Sequence, residues 1–214
     1  MYVHPAFGIG AAAAVAILRE RAFGLLVVPA ADAPFGVHVP FLVDEMPDGG
    51  LRVTLHVARA NPIHGHVGSG CKALLACLGP DAYISPDWYG IADQVPTWTY
   101  TSVHLTGTAR VVPQQDRLAH VDRLSAHFEA RLAPKPPWTS AKMQKARRAA
   151  MLQAIVVIAM DVDTIEAQNK LNQTKSESAR RGAMVGLRTR GDAGSLAIAD
   201  LMEATLAPMP PSRS

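Results

Sequence analysis

Three short segments of this chain carry polar and aromatic side chains beyond what core packing requires. The first, HVARANP at residues 56–62, places Arg59 and Asn61 between the end of a predicted strand and a predicted helix start at Pro62. A guanidinium fork and the free N–H groups of a helix start both suit a phosphate group. A surface arginine with Asn61 as a helix cap is the alternative interpretation of this segment.

The second segment, residues 79–100, holds three of the chain's four tyrosines and two of its three tryptophans. Its aromatic residues could form a flat apolar slot for a conjugated ring, and its hydroxyl residues could bond the edges of that ring. The aromatic members are Trp88, Tyr89, Trp98 and Tyr100, and the hydroxyl members are Ser85, Thr97 and Thr99. Ordinary core and turn packing is the alternative.

The third segment, NKLNQTK at residues 169–175, follows a predicted strand and precedes a predicted helix, and it contributes Lys170, Asn172 and Gln173. A solvated, charged helix start explains the same pattern.

Elsewhere, His64 and His66 have no cysteine or carboxylate at ligand spacing, so we expect no metal site there. The sequence also contains no Walker loop, dinucleotide-binding glycine motif, nucleophile elbow or HExxH motif.

Strands that could position these segments are indicated by the spacing of apolar residues. Residues 37–43 and 51–57 alternate in hydrophobicity, which predicts two half-buried strands with His56 on the outward face of the second. The run KALLACL at residues 72–78 predicts a strand buried on both faces, and AYIS at residues 82–85 predicts a separate short strand. Residues 96–112 predict a long strand or a bent pair with a bulge or bend at Gly107, and residues 153–165 predict the last strand.

Helices are predicted at residues 11–23, at about 115–131, over the basic stretch 140–152, and at roughly 175–190 and 193–206. The second of these has an apolar stripe at three- and four-residue steps, formed by Leu118, Val121, Leu124, Phe128 and Leu132. Short antiparallel strands with interspersed helices predict an α+β fold built on a β-barrel. We expect one domain over residues 1–206 and a frayed tail at residues 207–214.

The composition is that of an ordinary globular protein, with 214 residues of which 49% are hydrophobic and 18% are charged. The formal net charge of +3 fits anionic ligands but is too small to indicate nucleic-acid binding by itself. Cys71 and Cys77 would lie about 20 Å apart on one strand, too far to pair, so we expect buried reduced thiols in a cytoplasmic protein. The apolar run at residues 8–18 is too short for a membrane span, and no lysine or arginine precedes it as in a signal peptide.

Five motifs, taken in order, resemble the PaiB family of FMN-binding negative transcriptional regulators. They are HVARANP at 56–62, GPDAYISPDWY at 79–89, VPTWTY at 95–100, NKLNQTK at 169–175 and GLRTRGD at 186–192. The resemblance covers roughly residues 1–202. It implies a split β-barrel of the flavin-reductase and pyridoxamine-phosphate-oxidase type with peripheral helices, FMN as cofactor, and a homodimer with two flavin sites at its interface.

The resemblance also implies roles for the three segments. The aromatic and hydroxyl residues of segment 79–100 would line the flavin ring and build the dimer seam, while His56, Arg59 and Asn61 match the part of the fold that meets the phosphate. Lys170 and Gln173 match the family pattern and complete the cofactor-binding set.

Four positions depart from the family pattern. Thr99 stands where the family has asparagine, and Asn169 stands where an aromatic residue precedes the lysine; Asn172 and Thr174 replace a serine and an asparagine. If these residues touch the ring, we expect weaker flavin binding or a different ligand.

Several functions are compatible with these features, and the sequence does not decide whether the protein is an enzyme. An FMN-binding regulator would have one candidate DNA contact, the basic run Lys142, Lys145, Arg147 and Arg148, for which a solvated helix face is the alternative. A flavin-dependent oxidoreductase, either an oxidase or an NAD(P)H-dependent reductase, would have His38, His56 or His104 as a candidate general base. A flavin-free relative that binds haem or another planar cofactor is the third hypothesis.

Overall fold

The computed structural model describes residues 1–206, and the predicted frayed tail at 207–214 lies outside the described residues. The strands are β1 (Phe23–Val28), β2 (Phe35–Glu45), β3 (Leu51–Ala58), β4 (Cys71–Ile84), β5 (Thr97–Val111) and β6 (Ile155–Lys170). The helices are α1 (Ala11–Arg21), α2 (Ile63–Val67), α3 (Arg117–Glu129), α4 (Lys145–Gln153), α5 (Glu177–Arg190) and α6 (Ala193–Ala204). The strands close a barrel in the order β1-β2-β3-β6-β5-β4, which confirms the predicted α+β barrel fold.

The described chain divides into two compact units. We call residues 12–77 and 104–165 the barrel unit, and we call residues 1–11, 78–103 and the described residues from Glu166 onward the helical unit. The second half of β4, the first half of β5 and the end of β6 belong to the helical unit. The expectation of a single domain over residues 1–206 stays a prediction.

In the barrel unit, β3 shows the alternation that its sequence predicts. Val53, Leu55 and Val57 are buried, whereas the outward-facing Arg52, Thr54 and His56 are only half-buried. Antiparallel pairing with β2 and β6 fixes this register. The core face of β3 is therefore apolar and its outer face is polar.

The strand β5 runs continuously through Gly107. A Cβ atom at this position would lie 2.1 Å from the carbonyl oxygen of Asp161 on β6. Glycine is required at position 107 because the two backbones approach each other so closely.

The prediction for residues 72–85 is wrong in two respects. KALLACL and AYIS belong to one strand, β4, and KALLACL is not buried on both faces, since the side chain of Leu78 is 53% exposed. Leu75 and Cys77 are buried and Lys72 is exposed, as expected for a strand with one face toward the core. Both cysteines are free, and Cys71 is half-buried.

The apolar stripe predicted for α3 is only partly buried, since Leu124 is buried but other members of the stripe are not. Leu118 and Leu132 are exposed, and the buried residues of α3 are Arg117, His120 and Leu124. The physical reason is the polar outer face of β3, because His120 of α3 forms a hydrogen bond with His56 of that strand.

In the helical unit, α5 and α6 follow each other with caps supplied by adjacent residues. Gly191 ends α5 in the left-handed conformation at φ 74°, and the next residue, Asp192, accepts a hydrogen bond from the N–H of Ser195 at the start of α6. Trp88 packs against α5 at Gly182 and Gly186. A Cβ atom at Gly186 would lie 2.2 Å from the Trp88 indole ring, so the glycine makes room for that ring.

Candidate functional site

Lys170, at the end of β6, is the centre of a polar cluster in the helical unit. Its Nζ atom donates a hydrogen bond of 2.6 Å to Thr97 Oγ1 and lies 5.9 Å from the centroid of the Tyr100 ring. The Tyr100 hydroxyl accepts a 3.0 Å hydrogen bond from Gln168 Nε2. The structure therefore brings together three of the predicted site residues, Thr97, Tyr100 and Lys170.

An exposed aromatic surface is formed by Trp98 and Tyr83, also in the helical unit. The side chain of Trp98 is 54% exposed and that of Tyr83 is 37% exposed, and the two rings meet edge to face with centroids 6.2 Å apart. Exposed aromatic side chains in contact with one another are typical of ligand or partner surfaces. Tyr83 was not among the predicted site residues, although the density of aromatic residues in segment 79–100 could have indicated it.

Three other predicted residues of this segment are explained by local packing. Ser85 Oγ caps the short 3-10 helix at residues 86–89 by accepting a hydrogen bond from the N–H of Asp87. Trp88 packs on α5, and Tyr89 is buried in the core cluster formed with α5 and α6. Burial raises the pKa of the Tyr89 hydroxyl, and the neighbouring Asn172 side chain acts in the opposite direction. Their roles toward a flavin stay predictions.

The remaining predicted residues of the helical unit make hydrogen bonds within the protein. The fully buried Thr99 donates its hydroxyl to the carbonyl of Ala82 at 3.0 Å. Gln173 closes the turn after β6, since its Oε1 atom accepts from the N–H of Leu171 and its Nε2 atom donates to the carbonyl of Asn169. These bonds account for the choice of residue at both positions without a ligand.

In the barrel unit, His56 lies next to a histidine that the sequence analysis missed. His56 Nδ1 is 3.1 Å from His120 Nε2. Burial lowers the pKa of His56, and the same effect, strengthened by the charge of Arg123, lowers the pKa of His120 to about 4. Both imidazoles are therefore neutral at pH 7. The polar residues at the outward positions of β3 could have indicated that a helix covering this face contributes a polar partner.

Arg59 is exposed, and Asn61 bonds the first residue of α2 although the cap position of that helix is Pro62. Arg59 donates from Nε to the carbonyl of Gln153 at 2.6 Å and from Nη2 to the carbonyl of Ile155 at 3.2 Å. Asn61 Oδ1 accepts from the N–H of Ile63, the first residue of α2. Two of the five guanidinium N–H groups are thus engaged, and a role of His56, Arg59 and Asn61 at a phosphate stays a prediction.

The other candidate residues are surface groups or are engaged locally. The exposed His38 stacks on Phe23, and His104 is half-buried on β5. Within the basic run, Arg148 donates to the carbonyl of Ser140, while Lys142, Lys145 and Arg147 are exposed.

Across residues 1–206, no group of three or more His, Cys, Asp or Glu side chains is placed to hold a metal ion. Of the helices in the same range, none has both the length and the apolar character needed to cross a bilayer.

The helical-unit cluster fits a flavin ring in its chemistry. A flavin needs a flat apolar surface for its rings and hydrogen-bonding groups for its pyrimidine edge. Trp98 offers the surface, and the ammonium group of Lys170 is a donor. Among the described residues, the buried Asn169 Oδ1 has no hydrogen-bond partner and is an acceptor at the same end of β6.

Residues 1–164 match the model of a family described as "Putative FMN-binding domain". The chain is 27% identical over 187 residues to "Protease synthase and sporulation protein PAI 2" of Bacillus subtilis, covering 87% of this chain and 88% of that protein. Its fold resembles that of the FAD and heme binding protein from Mycobacterium smegmatis, with TM-score 0.56, 15% identity, and 83% and 79% of the two chains covered. It also resembles the flavocytochrome Anf3 from Azotobacter vinelandii, with TM-score 0.53, 15% identity, and 78% and 72% covered.

The two structural likenesses support the split-barrel fold, and the family match supports FMN as the cofactor. Because that match extends over most of the chain, this protein belongs to the family that shares the FMN-binding domain, in agreement with the resemblance to the PaiB family.

Proposed function

We propose that this protein binds FMN through the Lys170 cluster and the exposed Trp98, and that it acts as a homodimeric negative transcriptional regulator of the PaiB type. The observation that carries the flavin assignment is the placement of the Lys170 ammonium group between the Thr97 hydroxyl and the Tyr100 ring. Bound FMN supplies the capacity for electron and hydride transfer, and the protein supplies orientation and local charge. A cytoplasmic location is part of this proposal.

The flavin assignment is tested with the purified full-length chain. The absorbance spectrum is recorded before and after addition of FMN, and excess ligand is removed on a sizing column. We expect flavin bands that co-elute with protein at the size of a dimer. A colourless protein after FMN treatment would overturn the assignment, whereas flavin at monomer size would overturn only the dimer.

The regulatory role requires DNA binding, and α4 with its preceding turn is the region that we propose for it. Replacing Lys142, Lys145, Arg147 and Arg148 with glutamine should flatten the dependence of log K on log salt concentration, because fewer counterions would be released. As a control, Lys72, Arg181, Arg188 and Arg190 are exchanged in the same way. An equal effect of both variants, or no DNA binding by the parent protein, would count against the role of this helix.

A flavin-dependent oxidoreductase is the second candidate, with the half-buried His56 on β3 as its candidate general base. A histidine that is uncharged at pH 7 is able to accept a proton, as a general base must. Oxidation of NADH, NADPH or an amine by the FMN-loaded protein would support an enzyme. Specific DNA binding without turnover would support the regulator.

A further inference from the structure

We propose that the barrel unit contains a separate site for a small phosphate-bearing anion, between α3 and the outward faces of β3, β5 and β6. The inference rests on residues that are not among the predicted flavin contacts. It therefore does not depend on the proposed function.

The site is a cavity of about 270 Å³. Strand β3 contributes Arg52 and Thr54, β5 contributes Arg110, and apolar residues of β6 line the same side. The covering segment contributes Asp116, His120 and Arg123. A cavity of this size takes a small molecule and is too small for a nucleic-acid chain.

Two arginines of the cavity share one carboxylate. Arg52 Nε donates to Asp161 Oδ1 at 2.6 Å, and Arg110 Nη1 donates to the other oxygen of the same group. The Arg110 hydrogen bond and then that of Arg52 lower the pKa of Asp161, so the carboxylate is ionised at neutral pH. The pair of guanidinium groups is thus held in place while most of its N–H donors are left for another acceptor.

A third arginine comes from the opposite wall. Arg123 of α3 forms an ion pair with Asp44, which is not one of the lining residues. The lining therefore combines three guanidinium groups with a single carboxylate of its own, Asp116. The guanidinium N–H groups that these ion pairs leave unused match the oxygen geometry of a phosphate.

Two residues of the lining each have a buried polar atom with unused hydrogen-bonding capacity. Across the described residues, Thr54 Oγ1 and His120 Nδ1 are buried and have no hydrogen-bond partner. Buried polar atoms without partners are costly, and proteins rarely retain them without a reason. Because this hydroxyl is buried, the Thr54 side chain would have to rotate toward a bound phosphate for the hydroxyl to donate to a phosphate oxygen.

The full-length protein is titrated with inorganic phosphate and with glycerol 3-phosphate by calorimetry, in chloride buffers of equal ionic strength. We expect saturable binding with one site per chain. Tighter binding of the ester would identify a phosphorylated metabolite as the occupant, and equal binding would identify free phosphate. The absence of saturable binding of both probes would overturn the proposal.

Three variants of the lining residues and one control variant locate the site. Arg110→Gln and Arg123→Gln should each weaken phosphate binding about tenfold or more, as expected for loss of a charge-assisted hydrogen bond. Arg181→Gln, which removes an ion-paired surface arginine of α5, should leave binding unchanged.

Thr54→Val should raise the melting temperature of the free protein. It should also reduce the additional rise in melting temperature that phosphate produces. If Thr54→Val leaves the phosphate-induced increase intact, the hydroxyl is not a ligand group and this assignment fails.

FMN titrations of the same variants separate this site from the flavin site. We expect Arg110→Gln to retain the FMN affinity of the parent protein. If Arg110→Gln loses FMN and inorganic phosphate together, the cavity would be the flavin phosphate site and the proposal of a separate site would be wrong. If the parent protein binds phosphate but not FMN, only the proposed flavin function fails.

Discussion

The Nδ1 atom of His56 lies 3.1 Å from the Nε2 atom of His120, and this contact joins the outer face of β3 to the buried face of α3. Only one of the two nitrogens carries a proton in that bond, so the pair requires at least one neutral imidazole. Protonation of both rings would break the bond and place two charges in contact.

The pair should make the protein less stable in acid. His120 is 6% exposed and its pKa in the folded state is about 4, below the ordinary value of 6.5. Between these values the unfolded chain binds more protons than the folded chain, so stability rises with pH. We expect unfolding free energies from urea titrations to fall by about 3 kcal/mol as the pH drops from about 7 to about 4.

Variants identify the source of this acid sensitivity. His120→Gln should reduce the pH dependence of the unfolding free energy, because no ring is left to protonate at that position. His66→Gln, at an exposed position of α2, should preserve the dependence of the parent protein. Equal slopes for the parent protein and His120→Gln would show that other groups cause the acid sensitivity.

Lys170→Ala should weaken FMN binding about tenfold or more, because a charged donor at the ring edge would be lost. Trp98→Ala should also weaken binding, through the loss of the exposed aromatic surface. Binding is measured by quenching of flavin fluorescence. Lys72→Ala removes an exposed lysine that pairs with Asp163 in the barrel unit, and its FMN affinity should equal that of the parent protein.

Thr99→Val separates a structural role from a ligand role at a position where the family has asparagine. The substitution keeps the shape but removes the hydrogen bond to the Ala82 carbonyl, and we expect a stability loss of about 1 kcal/mol. Because the Thr99 hydroxyl is fully buried and already bonded, we expect an unchanged Kd for FMN. A weaker Kd with unchanged stability would show that Thr99 contacts the flavin.

Gly186→Ala should destabilise the protein by about 1–3 kcal/mol, because the new methyl group would meet the Trp88 ring at 2.2 Å. The control is Gly65→Ala on α2, where an added Cβ would have no neighbour within 4 Å. That variant should be as stable as the parent protein or slightly more stable. Thermal unfolding compares the two, and similar melting temperatures would mean that the helical unit adjusts to the methyl group.

The barrel could be predicted from the sequence because strand alternation is a local property. Residues 51–57 indicate by themselves which face of β3 is buried, and the structure agrees. The run KALLACL was misleading because Leu74, Ala76 and Leu78 are apolar but lie on the outward face of β4, so hydrophobicity alone could not show their exposure. The stripe predicted for α3 was only partly right for a related reason, since the helix buries Leu124 but also covers a polar surface formed by another element.

The candidate site was only partly predictable. Lys170 and Thr97 are 73 residues apart in the chain, and a motif resemblance was the only sequence signal that linked them. His120 and Tyr83 were missed because each gains its role from a partner that no spacing rule identifies, namely His56 and Trp98. Contacts between distant segments depend on the completed fold, which local patterns do not determine.

The adjacency of Gly191 and Asp192 leaves no spare residue between α5 and α6, since one caps the first helix and the other caps the second. Insertion of a single residue within α6, just after its cap, would rotate the rest of that helix by about 100° and turn the buried Ile198 and Met202 away from α5. Chain length should therefore be invariant at this junction among proteins that keep the two helices packed. Length variation should be accommodated instead in turns such as residues 46–50, where an insertion would not rotate a helix.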